Sequence, residues 1–249
     1  MDTISALIIT FNEEENIVDC LESVKWCDEI VIVDSFSEDK TVELASQYTE
    51  KVYLHKFDNF ASQRNYALEK VESDWVLVID ADERVTEELK VEISDVLSSD
   101  NSVQAYEIPR KNYFLGKWVK YCGWYPDYTL RLFKNNQQLK YKGKVHENIR
   151  TDMKVRNMES PLIHYTYQDL TDYLEKINNY TTLWAEEKHR KGKQTSMLYI
   201  LLRSMFEFIQ KYFFRKGFLL GSQGLILSCI LTYYVFLKYV KLWEIDNID

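Results

Sequence analysis

The sequence predicts an α/β fold: a mostly parallel central sheet flanked by helices, followed by an α-helical C-terminal extension. Three observations predict it. Short apolar, β-branched runs recur through the first 80 residues, each long enough for a buried strand and too short for a helix. Amphipathic segments separate them. From about residue 166 onward, long apolar stretches between basic flanks replace the alternation.

Ile4 to Thr10 is the first strand candidate and Glu29 to Asp34 the second. Between them, Glu14 to Val24 carries Ile17, Leu21 and Val24 at i, i+4 and i+7, one face of a helix. Asp39 to Gln47 fits a second helix, Lys51 to His55 a third strand, Ala61 to Lys70 a third helix and Trp75 to Ile79 a fourth strand, with another helix starting near Thr86. Repeated βα units imply a parallel sheet covered on both faces.

Composition narrows the class. The chain has 249 residues, 46% hydrophobic and 28% charged, with only 7 Gly and 3 Pro, which excludes collagen-like and wholly disordered chains. Cys20, Cys27, Cys122 and Cys229 form no CxxC pair, so neither a zinc knuckle nor a stapled extracellular scaffold is expected. Met1-Asp2-Thr3 opens no secretory signal, and a cytoplasmic location is expected. The net charge of −8 argues against nucleic acid as a partner. It is unevenly spread: residues 1–109 hold 8 basic and 26 acidic side chains, whereas 110–156 hold 12 basic and 3 acidic.

In parallel α/β sheets, ligands bind beyond the carboxyl ends of the strands. The residues there are Thr10-Phe11-Asn12-Glu13, Asp34 to Asp39, and Asp80-Ala81-Asp82-Glu83. Carboxylates at three strand ends repel one another unless a cation or a hydrogen-bonding ligand is expected among them. Asp80 and Asp82, flanking one small residue, can offer oxygen ligands to Mg2+ or Mn2+, which keep positions open for phosphate. Competing structural readings make Asp80 a cap of its strand, Asp82 a cap of the helix starting near Thr86 and Asp39 the N-cap of the helix containing Thr41 to Ser46. No Gly-rich phosphate cradle is present, which disfavours a dinucleotide-binding dehydrogenase and a P-loop enzyme.

The ordered set ISALIITFNEEENI, EIVIVDSFSEDKT, FASQRNYAL and WVLVIDADE resembles the nucleotide-sugar half of the inverting family 2 glycosyltransferases with the GT-A (Rossmann-like) fold. That resemblance implies that Thr10, Phe11, Asn12, Glu13 and Asp39 surround a uracil with Asp34 nearby, that Arg64 approaches the nucleotide, that Asp80 contacts the ribose side and that Asp82 holds the metal. The family's usual second strand end is Asp-Asp-Gly-Ser; here it reads Asp34-Ser35-Phe36-Ser37. Downstream, Gly123-Trp124-Tyr125-Pro126-Asp127, then Arg131-Leu132-Phe133, then His146-Glu147 resemble bacterial lipopolysaccharide core glucosyltransferases.

Inverting transfer needs one carboxylate to deprotonate the acceptor hydroxyl. Only Asp127, Glu147 and Asp152 are acidic between 110 and 156. Asp127 is preferred because its place before an Arg-Leu run resembles the family's base position, with Glu147 close behind. Trp124 and Tyr125, with Trp118 less favoured, offer flat faces to an acceptor sugar, and His146 lies in the same acceptor-side stretch. Arg131 is a candidate diphosphate clamp, and His164 a candidate metal ligand beside Asp82 and Asp80.

Leu170 to Arg190 reads as a helix with Tyr173, Ile177, Tyr180, Leu183 and Trp184 on one stripe, and 197–214 as an amphipathic helix. Gly217 to Leu237 is 21 residues without a charge, between Lys216 and Lys238; polar and glycine positions dilute it, so interfacial or shallowly inserted helices are expected rather than a span. The expected organisation is a catalytic domain over 1–165, its nucleotide-sugar half 1–109 and acceptor half 110–165, and a helical region over 166–249 peripheral to the inner face of the cytoplasmic membrane. A homo-oligomer through the C-terminal helices is the competing use of that apolar surface. The resemblance implies a UDP-sugar donor, glucose being preferred, a glycolipid or saccharide acceptor and a divalent metal. The alternatives are transfer to a polyprenyl phosphate carrier and a non-catalytic nucleotide-sugar or glycan-binding module.

Overall fold

A computed structural model describes residues 2–99, 102–136, 139–142, 148–149, 153–166 and 170–247. In chain order the first elements are β1 (Ile4–Thr10), α1 (Ile17–Val24), β2 (Glu29–Asp34), α2 (Thr41–Ala45), β3 (Val52–Leu54), α3 (Phe60–Leu68) and β4 (Trp75–Asp80). Then follow β5 (Glu83–Val85), α4 (Glu87–Ser98), β6 (Ala105–Phe114), β7 (Lys117–Trp118), β8 (Asp127–Lys134), β9 (Tyr141–Lys142), β10 (Asn148–Ile149), β11 (Val155–Asn157) and β12 (Leu162–Tyr165). Helices α5 (Leu170–Arg190), α6 (Met197–Ile209) and α7 (Ser222–Asn247) complete the chain.

The main sheet runs β3-β2-β1-β4-β8-β6-β12-β5, with β11 and β7 pairing β6. Strands β3, β2, β1 and β4 are parallel, as the βα alternation predicts. From β8 onward antiparallel pairs enter the sheet: β8 opposes both β4 and β6, while β11 runs parallel to β6. The sheet is therefore mixed, because the chain after α4 returns without the crossover helices that parallel neighbours require.

Side-chain alternation explains why the parallel strands sort onto two cores. Ile4, Ala6, Ile8, Ile32, Leu77 and Ile79 face one layer with Ile17, Leu21, Leu89 and Ile93 from α1 and α4. Leu7, Val31, Val33, Val76 and Val78 face the other with Ala67 from α3. Strands buried on both faces read as continuous apolar runs, as these do. Helix starts are set locally: Asn59 Oδ1 accepts from Ser62 N at 2.9 Å, and Thr86 Oγ1 from Leu89 N at 3.2 Å.

Two compact units result, one of residues 1–111 with 127–164, the other of 112–126 with 165–249. The loop 112–126, which the sequence reading assigns to the acceptor half of the catalytic domain, thus groups with the C-terminal helices. In this second unit, Phe114, Val119, Cys122, Tyr173, Ile177 and Leu227 form one buried cluster. The buried stripe of α5 is Tyr173, Ile177, Thr181 and Ala185; Tyr180 and Leu183, expected on it, are exposed. The stripe is shifted because 173, 177, 181 and 185 follow a strict i+4 row. After a 3-10 turn over Gly217–Leu220, α7 runs past the charge-free stretch and continues unbroken through Lys238 and Lys241. Lys241 Nζ donates to Asn178 O, Asn178 Oδ1 and Thr182 Oγ1 on α5 at 2.7, 2.8 and 2.7 Å, which gives this charge a place beside an apolar helix.

Candidate active site

The register of the parallel strands sets the three acidic strand ends abreast. Thr10 pairs with Asp34 across β1 and β2, and Ile9 pairs with Asp80 across β1 and β4. The loops after β1 and β2 are laced together. Asn12 N donates to Ser37 Oγ at 2.8 Å and Asn12 Oδ1 accepts from Glu38 N at 2.9 Å; Glu13 N donates to Thr41 Oγ1 at 2.7 Å. Asp34, fully buried, accepts from Ser37 N at 2.7 Å and from its hydroxyl. Asp39 accepts from Thr41 N at 2.9 Å and Glu14 N at 3.0 Å; it stands one residue before the N-cap of α2, which is Lys40, and ties the loop after β1 to the start of that helix. Burial works to raise the Asp39 pKa, but the Thr41 hydroxyl and these N–H groups outweigh it and hold the carboxyl below its ordinary value.

Lacing leaves two features pointing to a ligand. Thr10 is buried, yet its hydroxyl has no hydrogen-bond partner among the described residues. Phe11 and Phe36 each leave 54% of their surface exposed. Phe36 stands where the resembled family has Gly, and its φ of +65° explains that preference: the loop needs the left-handed conformation, and here a bulky residue adopts it.

At the exit of β4, charge is matched rather than repelled. Asp80 accepts from Arg64 at 2.7 Å and from Arg131 at 2.5 Å. Burial works to raise the Asp80 pKa, but the Arg131 and Arg64 guanidiniums override it and hold the carboxyl well below the usual range. Arg131 also donates to Glu83 at 2.6 Å, and Glu83 Oε2 accepts from Asp80 N at 3.0 Å. Arg110 lies 3.5 Å from the same Glu83 and donates twice to Asp127, at 3.0 and 2.6 Å. One alternating ionic chain thus runs Arg64, Asp80, Arg131, Glu83, Arg110, Asp127.

Arg131 is the residue whose expected role the geometry changes. Its side chain is 2% exposed and committed to two carboxylates, so the fork proposed for a diphosphate is turned inward. The cause is a β-bulge. Tyr106 pairs with Leu132 but the next residue, Glu107, pairs with Leu130, leaving Arg131 as the extra residue of β8. Bulges re-aim side chains in this way. Glu83 and Arg110 are the members that sequence reasoning missed. Glu83 follows Asp82 directly and was visible as a strand-end acid; Arg110 acquires its role only through the β6–β8 register.

Asp82 lies beside His164, Oδ2 to Nε2 3.3 Å, because β12 pairs antiparallel with β5 and sets His164 opposite Glu83. Among the described residues no three or more His, Cys, Asp or Glu side chains converge on one point. An oxygen and a nitrogen donor side by side nevertheless fit an ion that takes one or two protein ligands and fills the rest with phosphate and water. Asp80, engaged by two arginines, fits a ligand role less well than Asp82 and His164.

Of the residues expected to meet an acceptor, Trp124 packs edge-on against Phe114 with ring centroids 5.9 Å apart, and Tyr125 against Trp118 at 5.5 Å. Trp124 is partly buried against the apolar cluster that contains Phe114. His146 and Glu147 lie outside the described residues. Asn65, next to Arg64, makes a reciprocal pair with the Tyr141 backbone, 2.8 and 3.0 Å, at the start of β9. A cleft of about 540 Å³ beside α3 is lined by His55, Asn59, Asn65, Tyr66 and Tyr141; none of the expected site residues lines it.

Comparison with known proteins follows this geometry. The family model described as "Glycosyl transferase family 2" matches residues 5–156. The lipopolysaccharide core biosynthesis glycosyltransferase LpsC of Rhizobium meliloti (strain 1021) is 29% identical over 97% of this chain and 92% of that protein. An uncharacterized glycosyltransferase of Rickettsia felis is 30% identical over 98% of this chain and 90% of its own length. Among solved structures, glucosyl-3-phosphoglycerate synthase from Mycobacterium tuberculosis, in complex with Mg2+ and UDP, is 22% identical over 46% of this chain and 44% of that one, with a TM-score of 0.37.

Proposed function

Because the chain belongs to glycosyl transferase family 2, with the GT-A α/β fold and a helical C-terminal extension, we propose that it moves a sugar, with glucose as the first donor to test, from a UDP-sugar to a hydroxyl of a glycolipid or lipopolysaccharide-core acceptor, with inversion. The observation that carries the reading is the β4 exit, where Asp80 is locked by Arg64 and Arg131 while Asp82 is left beside His164. The lipopolysaccharide-core name of a relative spanning nearly the whole chain supports the acceptor class and a cytoplasmic, membrane-proximal location.

In this reading, Thr10, Phe11, Asn12, Glu13, Asp34 and Asp39 shape the nucleotide end. The buried Thr10 hydroxyl donates to the base, and the Asn12, Asp34 and Asp39 side chains hold the two loops in register. Arg64 and Arg131 fix the Asp80 carboxylate so that one rotamer faces the ribose. Asp82 and His164 would hold a Mg2+ or Mn2+ ion, which when bound neutralises charge on the departing diphosphate. Asp127, oriented by the two Arg110 hydrogen bonds, takes the acceptor hydroxyl proton as that oxygen bonds to the anomeric carbon and the bond to the diphosphate breaks. Arg131 acts as a positioning residue rather than a phosphate clamp. Trp124, Tyr125 and His146 belong to the acceptor side, with Glu147 as the second candidate base.

Two measurements test this. Titration calorimetry with UDP is expected to show binding that strengthens with manganese, and Asp82→Ala to abolish the manganese effect; no UDP binding under any condition overturns the donor assignment. With UDP-glucose and a core oligosaccharide, Asp127→Asn is expected to lower kcat by about 10²- to 10⁴-fold, the usual contribution of general base catalysis. Full activity of Asp127→Asn on that acceptor would move the base to Glu147; transfer to a polyprenyl phosphate, whose oxygen is already ionised, that neither Asp127→Asn nor Glu147→Gln slows would favour the carrier reading.

A further inference from the structure

Helix α6 is amphipathic in the sense opposite to a helix that feeds a core. Its buried residues are Ile200, Ser204 and Glu207, and Glu207 pairs with Arg203 at 2.8 Å and Lys211 at 3.6 Å. Its outer face carries Leu198, Leu201, Leu202, Met205, Phe206 and Ile209, all exposed, from 36% at Ile209 to 68% at Leu198. At 3.6 residues per turn these six fall on one stripe about 140° wide. The π-helical turn over Gln210–Phe214 prolongs the surface, with Phe214 73% exposed. Single exposed apolar residues need no explanation, but a contiguous surface of them marks an interaction site.

Charge selects the occupant. Residues 188–216 carry eight Lys and Arg and one acidic residue, and that acid, Glu207, is buried. Lys193, Arg215 and Lys216 are exposed. A second copy of the chain seated on this face would bring like charges together, whereas an anionic bilayer offers acyl chains to the stripe and phosphates to its rim. Helix α7 is long and apolar enough to cross a membrane, with 28% of its most apolar window buried, yet Lys241 ties it along α5.

We propose that α6 and the turn that follows it dock in the plane of an anionic phospholipid surface, the Leu198 to Ile209 stripe entering the acyl boundary and Lys193, Arg215 and Lys216 contacting headgroups. This deepens the membrane-proximal part of the functional reading. Its test uses neither nucleotide nor sugar, so its failure leaves the donor chemistry standing, and failure of UDP binding leaves it standing in turn.

The test is sedimentation of the full chain with phosphatidylcholine vesicles, alone or with about one quarter phosphatidylglycerol, alongside gel filtration. Binding is expected to the anionic vesicles and to weaken with salt. Each basic side chain near such a surface contributes about fivefold, so Arg215→Gln with Lys216→Gln is expected to weaken binding about 30-fold. Leu202→Glu with Phe206→Glu, both on the exposed face, should abolish it while circular dichroism stays unchanged. No binding to either vesicle overturns the proposal. So does a dimer in gel filtration that the Leu202/Phe206 variant dissolves while vesicles go unbound, and so does protein from cell membranes that resists alkaline extraction, which would make α7 a span.

Discussion

In the proposed reading, one carboxylate, Asp80, serves two purposes. Its side chain is a quarter exposed, open enough to meet a ligand, while two guanidiniums fix both oxygens. Removing one partner of a buried ion pair leaves the other charge uncompensated, and Arg131 is almost wholly buried. Asp80→Asn is therefore expected to destabilise the fold by about 3 kcal/mol, read as a shift in the urea midpoint, besides weakening UDP binding. Arg131→Lys is expected to destabilise as well, because an ammonium lacks the planar fork that reaches Asp80 and Glu83 together. At this scale the sequence was most legible where chemistry sits at strand ends: Thr10, Asp34, Asp80 and Asp82 are all where the β-branched runs imply. It was least legible for Arg131, Glu83 and Arg110, because a bulge and a strand register between residues 17 or more apart leave no local trace.

Among the elements, β1, β2, β4 and α1 follow from the apolar pattern, since those strands are buried on both faces and that helix on one. The antiparallel strands after residue 105 were not assigned, because AYEIPRKNYF and DYTLRLFK mix charge with apolar residues. Three of their charged positions, Arg110, Asp127 and Arg131, belong to the ionic chain. In the second unit the close element is α7 against the 3-10 turn before it. A Cβ on Gly224 would collide with the Gly217 carbonyl oxygen, and one on Gly217 would fall 2.7 Å from Cys122 Sγ. Overpacking of this kind costs about 1–3 kcal/mol. Gly224→Ala, which improves helix propensity, is expected to lower the Tm all the same; a raised Tm would mean that the turn yields freely.

For the molecule as a whole, net charge of −8 conceals a strongly acidic first half, and the carboxylates that matter for stability there are held ionised. Asp80 is depressed against the effect of burial by Arg131 and Arg64, and Glu29 likewise against burial by Lys51 and Ser5. A carboxyl with a depressed folded pKa contributes stability that is complete above its unfolded value, about 4, and is lost as pH falls through the folded value. Stability is expected to fall below about pH 4, and the fall to be shallower in Asp80→Asn, which has already lost that linkage. Urea midpoints measured at successive pH values would check this; parallel curves for the two proteins would remove Asp80 from the account.

Strand β6 begins in one compact unit and ends in the other, and the 15 residues that follow from Asn112 to Pro126 pack with helices reached only after residue 165. Phe114, Val119 and Cys122 rely on Tyr173, Ile177 and Leu227 for cover. The consequence concerns inheritance. A single recombination breakpoint near residue 165, the natural place to exchange the C-terminal helices between relatives, would part the inserted loop from its partners. Viable chimeras need two more breakpoints, one at each end of 112–126, so that segment and the helices should travel between lineages as one cassette.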